Sequence, residues 1–472
     1  MLFPTLTFGL FFLGVFAVTW AARGSNEWRK ILLLLASWIF YGAWDWRFVA
    51  LLIGSAFLNW GCARIVADLD EEWEAGTRKA VMLVGVAANL GVLGFFKYYG
   101  FFGEQLSGLL TTLGFARDIP LMEVVLPVGI SFFTFQGMSY LVDVYKGRIA
   151  AAELLDITLL MSFFPHLVAG PIVRGSDLLL QFRETPRLTR DAATMGLLLI
   201  VWGLFKKAVI ASELSTGLVD PVFFDPGAHG TLDLVAAAYG YAVQIYCDFS
   251  AYSDMAIGIA ALLGYRFPRN FDQPYRAASL QEFWRRWHIS LSSWLRDYLY
   301  IDALGGNRRG FARQCANLLV TMLLGGLWHG AKWTFVVWGG LHGGVLALER
   351  IWDRYRPAGW PRLPRAVGIV LTFHIVVLGW IFFRAESFDA ALAYLGGLGR
   401  GGVGEPVLTP LAVALIAFGL AIHAAPPPLM QRWAVGLRTW PAPALGLAVG
   451  LTIVIIDAMR FEGVAPFIYY QF

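Results

Sequence analysis

Seven histidines are the residues best suited to acid–base chemistry: His166, His229, His288, His329, His342, His374 and His423. The unperturbed imidazole titrates near neutrality, so modest changes in surroundings decide whether it acts as acid or base. His329 stands in Gly325-Gly326-Leu327-Trp328-His329-Gly330, deep in the charge-free run Gln314–Ala331. An ionisable group in such a run is costly and normally faces a bundle interior or a wet cavity. The flanking glycines let a ligand or another backbone approach the imidazole, and Trp328 supplies a flat apolar wall. A low-dielectric pocket favours the neutral imidazole, which then remains available as a base near pH 7. Such a base can take the proton from a hydroxyl as it attacks a thioester carbonyl. The residues by themselves leave a second role open, that of a packed histidine satisfied by hydrogen bonds. His374 and His423 read as hydrogen-bonding helix contacts.

Other chemistries lack their residues. His329 and His342 are thirteen apart with no acidic ligand nearby, and neither HExxH nor HxxEH occurs, so no metal site is expected. There is no GxSxG elbow, no Walker A loop and no strand-preceded dinucleotide fingerprint, so no bound cofactor is expected. Cys62, Cys247 and Cys315 are too scattered for a metal site or disulfide framework and read as buried thiols. The net charge of +4 reads as basic cytoplasmic loops, with no nucleic-acid partner expected.

The elements that must position these groups are membrane helices. Of 472 residues, 58% are hydrophobic and 15% charged, against roughly 25% charged in soluble proteins. No Asp, Glu, Lys or Arg occurs in Met1–Ala22, Ala80–Phe96, Val124–Val142, Gln314–Ala331, Ala366–Phe383 or Val407–Gln431. A bilayer core about 30 Å thick needs roughly 20 apolar helical residues. Window lengths imply about eleven to thirteen membrane-embedded segments, some short, tilted or re-entrant. The expected fold is therefore all-α and polytopic, with residues 1–472 as one membrane domain and the lipid bilayer as its surroundings. The first segment lacks the basic start and A-x-A end of a cleaved leader. Arg23, Arg29 and Lys30 after it place the N-terminus outside and these charges in the cytoplasm. Gly396–Gly404 reads as a flexible connection, and Pro426, Pro427 and Pro428 end the helix that begins near Val407.

On a helical wheel, residues 283–300 form an amphipathic helix, within a stretch of about 280–300. Phe283, Trp284, Trp287, Leu291, Trp294, Leu295 and Tyr298 share one arc, and Arg285, Arg286, Ser290, Arg296 and Asp297 the other. Trp and Arg at the boundary suit a membrane interface. His288 falls within the apolar arc, so its imidazole is expected to face the protein core. Gly129–Gly137 and Phe164–Pro171 place hydroxyls, an amide, glycines and prolines in apolar runs. Broken helices at that depth usually line a cavity, in an enzyme or a transporter alike.

Taken together, these motifs resemble the membrane-bound O-acyltransferase (MBOAT) family, in the branch of alginate O-acetyltransferase membrane proteins and D-alanyl-teichoic-acid transferases. The matching pieces are LPVGISFFTFQGMSYLVDVYKG (126–147), FFPHLVAGPIVR (163–174), YCDFSAYSD (246–254), NFDQPY (270–275), FWRRWHISLSSWLRDYLY (283–300), GGNR (305–308), GGLWHG (325–330), FFRAESF (382–388) and PFIYYQF (466–472). The core motifs span about 126–388. The resemblance implies eleven or more helices around a tunnel, with His329 as the catalytic residue and His288 as its companion. His329 is the expected general base, and His288 the group that orients substrate or supports charge. Trp328, Trp284, Asn307 and Arg308 are the expected substrate-contacting residues, the last two at the cytoplasmic mouth.

The implied donor is a cytoplasmic thioester, acetyl-CoA or an acylated carrier protein. The implied route carries the acyl group across a bacterial inner membrane to a periplasmic SGNH-type partner and then to an exopolysaccharide, with a polysaccharide synthase complex as a further expected partner. D-alanyl transfer to teichoic acid is an alternative of the same class. A transporter or flippase is the alternative of another class, although the paired broken helices of inverted repeats are not seen.

Overall fold

The computed structural model describes residues 3–115, 122–360, 363–401, 406–426 and 429–459. Helices of several kinds make up its regular structure, and no strand occurs among the described residues. Five of these helices are long and apolar enough to cross a bilayer: Arg47–Asp68, Ala75–Thr112, Arg190–Phe224, Arg365–Arg384 and Ala442–Met459. A pair bent by 87°, Pro410–Ala424 and Leu429–Leu437, makes a sixth if it is one span. The remaining apolar runs fold as shorter or less apolar helices. At 1.5 Å per residue, the 38-residue Ala75–Thr112 helix is about 57 Å long, well beyond a hydrocarbon core of about 30 Å. The chain packs as two compact units, Met1–Leu188 with Ala260–Pro268, and Thr189–Ile259 with Arg269–Phe472.

In the first unit, polar groups join apolar helices by satisfying one another. Asn59 and Asn89 are buried and exchange amide hydrogen bonds of 3.2 and 3.0 Å, while each also donates to a carbonyl one turn back. Such pairs hold helices together where apolar contact alone gives little preference over lipid. Arg29 and Lys30, expected as loop charges, are instead buried. The Arg29 guanidinium donates to the Leu263 carbonyl at 2.6 Å, and Lys30 Nζ lies 2.7 Å from Asp156 and 2.6 Å from Glu27. Leu263 and Asp156 lie far along the chain, beyond what local charge patterning reveals.

Gly129–Gly137 and Phe164–Pro171 belong to this packed interior. Nearly every residue of the helix Ile130–Tyr145 is buried, and Thr134 and Ser139 donate to carbonyls of their own helix. Gln136 donates to the Val173 carbonyl at 3.1 Å, and His166 Nε2 donates to the Leu160 carbonyl at 2.9 Å. Of the cysteines, Cys62 here is half-buried, as is Cys315 in the second unit, where Cys247 is fully buried.

In the second unit, the 35-residue helix Arg190–Phe224 widens into π turns at Lys206–Ala211 and Ser215–Val219. Adjacent lysines there both reach the helix Thr231–Leu262: Lys206 Nζ lies 2.7 Å from Asp254 and 2.6 Å from the Ser250 hydroxyl, and Lys207 Nζ 2.8 Å from Asp248. Pairing is what permits such charges in an apolar interior.

The segment expected as one amphipathic helix is interrupted. It forms the short helix Leu280–Trp284, a left-handed break at His288, the helix Ile289–Trp294 and a π segment Leu295–Ala303. The Asn270 carbonyl accepts from Ile289 N–H at 2.9 Å, and Asp272 N–H donates to the Arg286 carbonyl at 2.9 Å, replacing helical bonds by bonds to an earlier strand of chain. Burial follows the expected sides for Trp284, Trp287, Leu291 and Trp294, which are buried, and for Arg285 and Arg296, which are exposed, but Ser290, expected on the polar side, is buried against Asn270. Gly396 and Gly397 end the helix Phe388–Gly397 instead of belonging to a flexible connection. Residues 402–404 of that connection, Pro427 and Pro428, and the 466–472 motif lie outside the described residues.

Candidate active site

The helices Phe311–His329 and Trp333–Tyr355 form a tight hairpin in the second unit, joined by a three-residue turn, Gly330 to Lys332. Glycine makes the close approach possible: a Cβ at Gly326 would collide with the Phe335 carbonyl oxygen, and one at Gly339 with that of Met322. His329 is the last residue of the first helix and is 6% exposed. Its imidazole is enclosed by rings. Trp328 lies 5.0 Å away between centroids, Trp338 5.1 Å and Phe383 5.1 Å, all near-perpendicular, with Phe335 stacked at 6.4 Å. Trp338 and Phe335 come from the hairpin's second helix, and Phe383 from the helix Arg365–Arg384.

His288 reaches the same cluster from the break in its own segment. It is fully buried at 0% exposure, with the Phe249 ring edge-on at 4.5 Å and Trp328 at 6.2 Å. Trp328 is therefore the common neighbour of both imidazoles. His288 Nδ1 lies 3.1 Å from Asn270 Oδ1, which also accepts from the Ser290 backbone N–H at 3.2 Å and the Ser290 hydroxyl at 2.9 Å. Asn270 Nδ2 donates to the Ser253 hydroxyl at 3.0 Å.

Trp284 belongs to the outer part of the cluster. Its Nε1–H donates to His342 Nδ1 at 3.2 Å, and its ring meets Trp338 edge-on at 5.7 Å. Just before it, Ser279 caps the helix by accepting from Glu282 N–H at 3.1 Å, a contact of about 1 kcal/mol. Burial alone would raise the Glu282 carboxyl. The Ala278 N–H and the guanidinium groups of Arg365 and Arg286 outweigh that and hold it below the usual carboxylate range.

Four of the six sequence-selected residues thus meet in one aromatic cluster: His329, His288, Trp328 and Trp284. Asn307 and Arg308 do not join it. Both are exposed on the turn after Ala303, where Asn307 accepts from the Tyr300 hydroxyl. His374 and His423 each donate from Nδ1 to the carbonyl one turn back, at 2.7 and 3.0 Å. No group of three or more His, Cys, Asp or Glu side chains that could hold a metal ion occurs among the described residues. Sequence reasoning missed Trp338, Phe335 and Phe383, which enclose His329, and gave no role to Asn270 although it opens the NFDQPY motif. The signal available for the first two was their position in the apolar segment directly following the GGLWHG turn.

Comparison with known proteins identifies the family. The family model "MBOAT, membrane-bound O-acyltransferase family" matches residues 142–388. A probable alginate O-acetylase, AlgI, of Pseudomonas putida is 37% identical, with 100% of each chain covered. A peptidoglycan O-acetyltransferase of Helicobacter pylori is 35% identical over 82% of this chain and 76% of its own. A teichoic acid D-alanyltransferase of Streptococcus thermophilus is 27% identical over 56% of this chain and 69% of its own. The chain belongs to the membrane-bound O-acyltransferase family and is a multi-pass membrane O-acyltransferase.

Proposed function

We propose that this enzyme transfers an acetyl group from a thioester donor to a hydroxyl, for O-acetylation of an exopolysaccharide such as alginate, with His329 as general base. The observation that carries the reading is the placement of His329: a buried imidazole at a helix end, walled by aromatic rings, sharing Trp328 with a second buried imidazole. The full-length likeness to a probable alginate O-acetylase supports acetyl as the group and a secreted glycan as the final acceptor.

In the proposed step His329 takes the hydroxyl proton as the oxygen attacks the thioester carbonyl. A C–O bond forms, the C–S bond breaks, and the proton passes to the departing thiolate. The surrounding rings exclude water, which would otherwise compete as acceptor. His288 orients the reacting groups, with Trp328 and Trp284 as ring walls. Asn307 and Arg308, exposed on their turn, are assigned to the donor's entry. The donor is cytoplasmic acetyl-CoA or an acylated carrier protein, used as substrate. The setting is a bacterial inner membrane, with an SGNH-type periplasmic acetyltransferase as next carrier and a polysaccharide synthase complex alongside. D-alanyl transfer is the second reading, supported by a shorter and less similar match.

The test is His329→Ala in a strain that depends on this chain for polymer acetylation. Loss of a general base costs about 10²- to 10⁴-fold, so acetyl groups on the secreted polymer should fall to background while the protein accumulates normally in the membrane. Unchanged acetylation would overturn the assignment of His329.

A further inference from the structure

The geometry points to Asn270 as a positioning residue that fixes the tautomer of His288, so that His288 meets the acceptor substrate as a hydrogen-bond acceptor, for a hydroxyl other than the one whose proton goes to His329. The inference rests on the reading of His288 as a participant in acyl transfer.

Three contacts decide which atoms carry protons. The Ser290 backbone N–H can only donate, and it points at the Asn270 side chain at 3.2 Å. The atom there must be the carbonyl oxygen. The other end of the amide then donates to the Ser253 hydroxyl at 3.0 Å. A carbonyl oxygen cannot donate, so His288 Nδ1, 3.1 Å from it, carries the hydrogen. The Ser290 hydroxyl, 3.4 Å from Nδ1, points its own hydrogen at Asn270 Oδ1, 2.9 Å away. In a neutral imidazole the second nitrogen then holds a lone pair. That nitrogen, Nε2, is buried and has no hydrogen-bond partner among the described residues.

The same asparagine holds the backbone that presents the ring. His288 adopts φ +43°, a left-handed conformation that non-glycine residues rarely take. Such strain persists where surrounding contacts over-determine it, and it concentrates at functional sites. Here the Asn270 backbone carbonyl takes Ile289 N–H at 2.9 Å while its side chain takes Ser290 N–H. Asn270 and His288 are 1% and 0% exposed, so water does not replace these bonds.

The tautomer assigns a role. Nε2 with a lone pair accepts from an alcohol O–H and cannot donate to the developing oxyanion of the thioester carbonyl. Nδ1–H, the donor that could, is already turned to Asn270. His288 therefore recognises a neighbouring hydroxyl of the acceptor, such as the adjacent one on a sugar ring, and not the acyl carbonyl.

The experiment uses the full chain, labelled with ¹⁵N-histidine, in lipid vesicles. Solid-state nuclear magnetic resonance distinguishes protonated from bare imidazole nitrogens, and the His288 signals are identified by their loss in His288→Gln. The expected wild-type spectrum has Nδ1 protonated and Nε2 bare. Asn270→Leu should move the proton to Nε2 or mix the forms, and should lower polymer acetylation about 10²-fold, the scale of a misplaced reacting group. A wild-type His288 with Nε2 protonated, or a tautomer unchanged by Asn270→Leu, overturns the inference. Should Asn270→Leu fail to accumulate, the wild-type spectrum decides alone. Normal acetylation by His288→Gln would instead sink the role of His288 itself.

Discussion

At the scale of single residues, Trp328 connects the two halves of the candidate site. Its indole lies within 6.2 Å of the His288 ring and 5.0 Å of the His329 ring, centroid to centroid. Removing it should open a cavity between them. Trp328→Ala is expected to cost about 3–5 kcal/mol of stability and to abolish polymer acetylation, because both imidazoles lose the wall that orients them. Trp328→Phe keeps a flat ring between the two imidazoles and should retain far more acetylation than Trp328→Ala. Acetyl content of the polymer and the unfolding midpoint of the purified protein check both. Equal loss in the two variants would shift the emphasis from the ring face to the indole N–H. The histidines themselves were legible in the sequence, because a polar group in a charge-free run needs a reason to be there. Asn270 was not, since its bond to His288 joins residues 18 apart through a backbone conformation that residue types do not announce. The enclosing rings of Trp338 and Phe383 belong to other helices, and their convergence is a property of packing.

At the scale of elements, glycine spacing sets where His329 ends up. The hairpin brings backbone against backbone at Gly326 and Gly339, and His329 projects from the end of the first helix, three residues beyond Gly326. Gly326→Ala would drive a methyl group into the Phe335 carbonyl. Overpacking of this kind costs about 1–3 kcal/mol, and here the strain is relieved only by spreading the helices that carry His329 and Trp338. Acetylation should therefore fall more than the unfolding midpoint does. Gly344 is the internal control, because a Cβ there meets nothing within 4 Å. Gly344→Ala should be neutral or stabilising by up to about 1 kcal/mol through helix propensity. Comparable loss in the two variants would mean that the hairpin's close approach does not position the site. The interrupted segment carries the complementary lesson. Its apolar arc was legible by periodicity, and the residues of that arc are buried, with Ser290 from the polar side buried as well. The break at His288 was not, because the bonds that replace helical ones come from residues 270–272, outside any local window.

At the scale of the whole molecule, a chain with only 15% charged residues uses its charges in two ways. Some lie in exposed loops, as Asp70 to Glu74 do; others are buried as pairs between distant segments, as with Lys30–Asp156 and Lys207–Asp248. Local sequence separates the charge-free membrane runs well, which is why the helical, multi-pass character was legible. It does not separate a loop charge from a buried one, because that depends on a partner more than a hundred residues away, as for Lys30. The distinction has a measurable consequence. Lys30 and Asp156 are 6% and 5% exposed at the side chain. Removing one partner leaves the other buried without compensation, at a cost of about 3–5 kcal/mol, whereas replacing both with apolar groups is often nearly neutral. Lys30→Met should therefore sharply reduce accumulation and the unfolding midpoint, and Lys30→Met with Asp156→Leu should recover most of both. The histidine cluster lies in the other unit, so acetylation per folded molecule should stay at the wild-type level in the double variant. A double variant as unstable as the single one would show that the pair contributes more than mutual neutralisation, with Glu27, 2.6 Å from Lys30 Nζ, as the remaining charge to remove next.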